Sequence, residues 1–108
     1  MKVIHFNNAE SYEPEENWKR VSLCNERIIS VEHFKKPPKH VSPIHNHPSA
    51  QILIVLEGKL SVINDKDGEV VLNKGDSVFI LENETHIVKN LLDEPSVGID
   101  IFLLKTEG

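Results

Sequence analysis

The brevity of its apolar segments restricts this chain more than any other feature. From Gln51 onward each run of Val, Ile and Leu is cut by Gly, Asn or Asp before a stable helix could form. Gln51–Leu56, Lys59–Ile63, Glu69–Leu72, Ser77–Leu81, His86–Asn90 and Val97–Leu104 therefore read as strands. Glu57-Gly58 and Lys74-Gly75-Asp76 are tight corners, and residues 64–68 form a hairpin loop. Upstream, Trp18–Cys24 and Arg27–Phe34 add two strands around Asn25-Glu26, while residues 7–17, with Pro14, form a loop or a short helical turn. Short strands at this spacing predict an all-β sandwich or barrel rather than a parallel α/β sheet. At 108 residues the chain has material for one core, so a single domain over 1–108 is expected. Its barrel spans about 18–104, and residues 1–17 pack on the barrel or on a partner subunit.

In Gln51–Leu56 one face carries Gln51, Leu53 and Val55, the other Ile52, Ile54 and Leu56. Side chains alternate with period two, so both faces of this strand need cover. Val97, Ile99, Ile101 and Leu103 repeat the pattern opposite Asp100 and Phe102. A homodimer would supply the second layer. A net charge of −5 argues against a general nucleic-acid binder. The basic cluster of Lys35, Lys36, Lys39 and His40 and the acidic cluster of Glu10, Glu13, Glu15 and Glu16 read as solvated surface. The longest apolar run, Ile52–Leu56, is too short to span a membrane, and the start of the chain has no apolar stretch like a signal peptide. The single Cys24 excludes an internal disulfide and reads as a small buried apolar residue; a cytoplasmic location is expected.

The chemistry lies in the six histidines. His45-Asn46-His47 puts two imidazoles on one side of an extended segment, about 6.6 Å apart at ~3.3 Å per residue. Rings so placed can converge on one metal ion, with bonds near ~2.1 Å. Alone, the pair is a weak signal, because two surface histidines give the same spacing.

Residues further along the chain strengthen that signal. Gln51 and Gly58 stand at fixed intervals after His47, and Gly75, Asn83, His86 and Asn90 form a second spaced group. Across roughly residues 37–104 the chain resembles the cupin superfamily, whose motifs run G-x5-H-x-H-x3,4-E-x6-G and G-x5-P-x-G-x2-H-x3-N. His45, His47, Gly58, Gly75, His86 and Asn90 match; Lys39, Gln51, Leu81 and Asn83 depart. Asn at a turn-glycine position is mild, since Asn tolerates the left-handed region. The resemblance implies a double-stranded β-helix, or jelly-roll barrel, of the small single-domain, RmlC-like kind.

It also implies one divalent metal ion, Fe, Mn, Ni or Zn, held by His45, His47 and His86, with Gln51 where the family has a ligating Glu. Gln51 either offers its carbonyl oxygen to the ion or hydrogen-bonds a metal-bound water from behind. Three neutral imidazoles and an amide would leave the ion its full charge and sharpen its pull on a bound oxygen.

Leu53, Val55, Leu60, Val62 and Val88 are expected to wall an apolar pocket for a small-molecule substrate or ligand. His33 is a candidate pocket residue, and Arg20 is the better of two arginines for holding an anion. His5 and His40 read as exposed, and Asn90 as a turn or strand-end stabiliser. The resemblance points to a small-molecule metalloenzyme of dioxygenase, decarboxylase or isomerase type. A non-enzymatic binding or sensor module with the same pocket is the alternative.

Overall fold

The computed structural model describes residues 1–104; most strands fall where expected, but Ser11–Tyr12 is a strand in place of a loop or helical turn, and the strand expected to end at Phe34 runs on to Lys36. In chain order the strands are β1 (Ser11–Tyr12), β2 (Lys19–Asn25), β3 (Ile29–Lys36), β4 (Ala50–Glu57), β5 (Lys59–Asn64), β6 (Gly68–Asn73), β7 (Ser77–Ile80), β8 (Ile87–Asn90) and β9 (Ser96–Leu103). The helical element among these residues is one short 3-10 turn at Phe6–Asn8. The strands form two antiparallel sheets, ordered β1-β2-β3-β9-β4-β7 and β6-β5-β8. This is a jelly-roll barrel. Residues 105–108, the end of the expected domain, lie outside the described residues. Among the described residues no helix is long and apolar enough to cross a membrane.

Period-two alternation decides what enters the barrel. Phe34, Leu53, Val55, Leu60, Val62, Leu72, Ile80 and Val88 meet between the sheets and are buried. Each such side chain contributes roughly 1.5–3 kcal/mol by leaving water. Two turn positions show why their residues matter. Gly58 has φ +92, and a Cβ there would run into the Ser96 side chain. Asn83 and Lys39, which replace glycines of the motif, both adopt left-handed φ, 60 and 57.

The outward face of the larger sheet is apolar, with Ile52, Ile54, Ile99, Ile101 and Val31 half-buried. His33 lies on this outer face rather than in the pocket. It pairs with Ile99 and Val21, and Phe6 sets its ring edge-on to it at 4.9 Å. A bulge between Ser22 and Cys24 in β2 moves Cys24 to the same side, opposite Val31. There it is half-buried rather than enclosed, because the extra residue reverses the alternation.

Candidate functional site

The open end of the barrel is built from the segment before β4, the start of β8 and the inward faces of β2, β3, β4 and β9. His45 and His86 form a bridge between neighbouring segments: His45 N donates to His86 O at 3.2 Å, and His86 N to His45 O at 3.0 Å. Directly paired residues share a face, so the rings lie side by side, 4.3 Å between centroids. His47 follows two residues on and brings its ring to 5.3 Å from His86 and 5.8 Å from His45. One nitrogen of each ring lies within 4.8 Å of the others, close enough for the three histidines to hold a metal ion.

Each ring is oriented by its own stretch of backbone. Nδ1 of His45 lies 2.8 Å from Pro43 O, that of His47 2.7 Å from Ser49 O, and that of His86 2.8 Å from Glu84 O. A carbonyl oxygen only accepts, so each Nδ1 carries the hydrogen and each Nε2 keeps a free lone pair. The Nε2 of His86 is buried with no hydrogen-bond partner, a costly arrangement unless something positive sits there. Burial, reinforced by the two neighbouring histidines and opposed by the Glu84 carbonyl, pushes the His86 imidazole below its ordinary pKa and keeps that lone pair available.

Gln51 is buried in the same place. Its amide nitrogen donates to Asp100 Oδ1 at 2.6 Å, which turns its Oε1 toward His47 Nε2, 3.0 Å away. Oε1 only accepts, so the contact is satisfied by a proton on Nε2 or by a cation that both atoms share.

Asp100 is the centre of a second cluster that sequence reasoning missed. The buried Arg20 donates through Nη2 to Asp100 Oδ2 at 2.6 Å and through Nε to Glu32 Oε1 at 2.7 Å. Tyr12 donates its hydroxyl to Glu32 at 2.8 Å. Burial opposes the charge on Arg20, but Asp100 and Glu32 outweigh it and hold the guanidinium ionised. Arg20 is therefore committed to two carboxylates and is no free anion clamp. One signal was legible: a lone Asp on the inward register of an otherwise apolar strand.

The cavity bounded by both clusters has a volume of about 330 Å³. Of the expected wall, only Leu53 and Val88 line it; Val55, Leu60 and Val62 lie in the packed interior instead. Trp18, Phe34 and Phe102 supply most of the remaining apolar wall, so the lining is mostly apolar as expected, with Arg20, Glu32, Lys36 and Asp100 as charged groups among it. Two further expectations are overturned. Lys36 is not solvated: it ends β3 on the inward face and is 1% exposed. His40 is not exposed either, because its ring is clasped between Lys36, Glu15 and Trp18. Asn90, buried beside them, donates to the carbonyls of Lys36, Pro37 and Glu94 and accepts from Leu92 N and Ser96 Oγ. It is a loop-tying residue.

The sequence profile of the cupin domain matches residues 32–102, most of the barrel and all of the histidine cluster. The chain belongs to the cupin family. Solved structures similar to it include an RmlC-like cupin from Shewanella frigidimarina, at 21% identity and TM-score 0.85 over 99% of this chain and 94% of that one. KdgF from Halomonas sp. is similar at 18% identity and TM-score 0.86, covering 99% and 96%. The polyketide cyclase RemF from Streptomyces resistomycificus follows at 18% and 0.80, covering 97% and 80%. A sugar phosphate isomerase of the cupin superfamily from Silicibacter pomeroyi has 15% identity and TM-score 0.82, covering 96% and 76%. No curated protein sequence matches the chain.

Proposed function

We propose that this cupin is a metal-dependent enzyme acting on a small oxygen-bearing molecule, with His45, His47, His86 and Gln51 as the metal ligands. The observation that carries the reading is the set of bare lone pairs at the open end of the barrel. Three Nε2 atoms are freed by Nδ1–carbonyl bonds, and one of them is buried without a partner. The Gln51 contact fits the same ion. Gln51 Oε1 stands 3.0 Å from His47 Nε2, so the two would hold the ion together. Asp100 holds the Gln51 amide in that orientation.

A divalent ion bound there would polarise a ligand oxygen, and the neutral donor set would leave its charge undiminished. The chain's own residues do the rest. Trp18, Phe34 and Phe102 exclude water, and Arg20 fixes Asp100 and through it Gln51. Isomerisation or ring-forming chemistry is in keeping with the cyclase and the isomerase among the similar structures.

The test is titration of metal-stripped protein with Zn²⁺ and Mn²⁺ beside a chelating indicator. Stoichiometric binding that weakens more than about a hundredfold in His86→Ala, beyond the loss of an orienting partner, supports the site. Unchanged affinity in His86→Ala and His47→Ala rejects it. We further propose that the barrel is one domain in a homodimer, with a second copy covering Ile52, Ile54, Ile99 and Ile101, in a reducing cytoplasm. Light scattering that gives a monomer mass, or a dimer unaffected by Ile54→Lys, counts against that assembly.

A further inference from the structure

Lys36 has no part in the histidine cluster, yet its position is costly. It lines the cavity at 1% exposure, and among the described residues no carboxylate pairs with its ammonium. A buried lysine normally requires such a partner. Instead Nζ lies 2.6 Å from His40 Nδ1 and 4.4 Å from the centre of the Trp18 ring. The far nitrogen of the same imidazole, Nε2, is 2.9 Å from Glu15 Oε2. Because a carboxylate only accepts, Nε2 holds the hydrogen and Nδ1 accepts from Lys36. The chain of contacts runs from the half-exposed Glu15 to an amine inside the barrel. The main chain that carries His40 is tied down: its backbone N donates to Pro37 O and its O accepts from Asn90 N.

We propose that Lys36, His40 and Glu15 form a proton relay, in which Lys36 takes a proton from a small hydroxy or oxo compound in the cavity and passes it outward to solvent. A C–H or O–H bond of the ligand breaks and its proton joins the free amine of Lys36. The electron pair stays on the ligand as an enolate or alkoxide. An ammonium proton then moves to His40 Nδ1, the Nε2 proton moves to Glu15, and water removes it. The arrangement of amine, imidazole and carboxylate follows the logic of an activated group, its base and the group that orients the base.

The surroundings suit an acceptor. Burial first, then Arg20 of β2, lowers the Lys36 pKa to about 8, against the raising influence of Asp100 of β9 and of Glu15. The Trp18 indole N–H, buried and without a partner beside the same cavity, is a donor for a ligand oxygen. The assignment rests on the cavity being a small-molecule site and not on the metal.

Metal-free full-length protein tests it twice. In protein with ¹³C,¹⁵N-lysine, Lys36 should titrate near pH 8. Glu15→Gln keeps an acceptor for His40 but cannot take a proton, so it should slow exchange of the Lys36 Nζ hydrogens with water at least tenfold. A purely structural Glu15 would leave that rate unmoved. In the second test 5-nitrobenzisoxazole, which opens when a base removes its ring C–H proton, serves as the probe. Its cleavage should rise with a midpoint near pH 8 and fall at least tenfold in Lys36→Met. Unchanged exchange in Glu15→Gln, or equal cleavage by Lys36→Met and wild type, overturns the relay, while zinc binding through the histidines stands or falls separately.

Discussion

The cavity contains two polar clusters built on opposite plans. In the histidine cluster each ring is oriented by a carbonyl two residues away in the chain. In the charged cluster Arg20 reaches Asp100, 80 residues distant, and Gln51 joins Asp100 across 49. The first is neutral and carries its supports with it. The second is charged and exists only when β2, β3, β4 and β9 have assembled. The difference teaches which part of such a site a local motif can specify and which part the whole fold must supply.

Asp100→Ala should give the largest effect, since it leaves Arg20 buried beside one carboxylate and releases Gln51. Breaking a buried pair from one side costs about 3–5 kcal/mol, to be read from urea melts. A loss under about 1 kcal/mol would mean that the charged cluster is peripheral and erase the contrast. Gln51→Glu sharpens it in another way. In the metal-free chain it removes the donor to Asp100 and sets two carboxylates together, so the melting temperature should fall. Zn²⁺ should bind more tightly than to wild type and restore the loss. Weaker binding would place Gln51 outside the ligand set.

A smaller effect tests Lys36 through pH. Its folded pKa of about 8 lies below the ordinary 10.5. The unfolded chain therefore binds more protons between these values, and stability rises with pH across that window. The contribution is complete above 10.5 and lost as the pH falls to 8. Melts of Lys36→Met should lack the rising limb. The smallest effect belongs to Lys39, whose left-handed φ of 57 lies outside both clusters. Lys39→Gly should gain about 1 kcal/mol or less, measured by denaturant midpoint.

Most strands of the chain were legible because Gly, Asn or Asp punctuates them, although β1 at Ser11–Tyr12 was not, and Asn83 folds as its substitution for glycine suggested. The histidines were legible for the reason that sets the two clusters apart: ring and support are neighbours in sequence. Lys36 and His40 were not, and Arg20 was legible as an anion holder but not as the partner of Asp100 and Glu32. A bulge or a loop decides where such residues point, and charge composition alone favours solvent for all of them. Lys36 looked like one member of a basic surface run until the register of β3 with β9 turned it inward opposite Ser96.

The bridge between His45 and His86 has a further consequence. The two residues exchange backbone hydrogen bonds as well as facing one another with their rings. An ion gripping both rings would staple that rung shut. The amide hydrogens of these two residues would then exchange with deuterium more slowly when the ion is bound, so the backbone would report occupancy before any substrate is known.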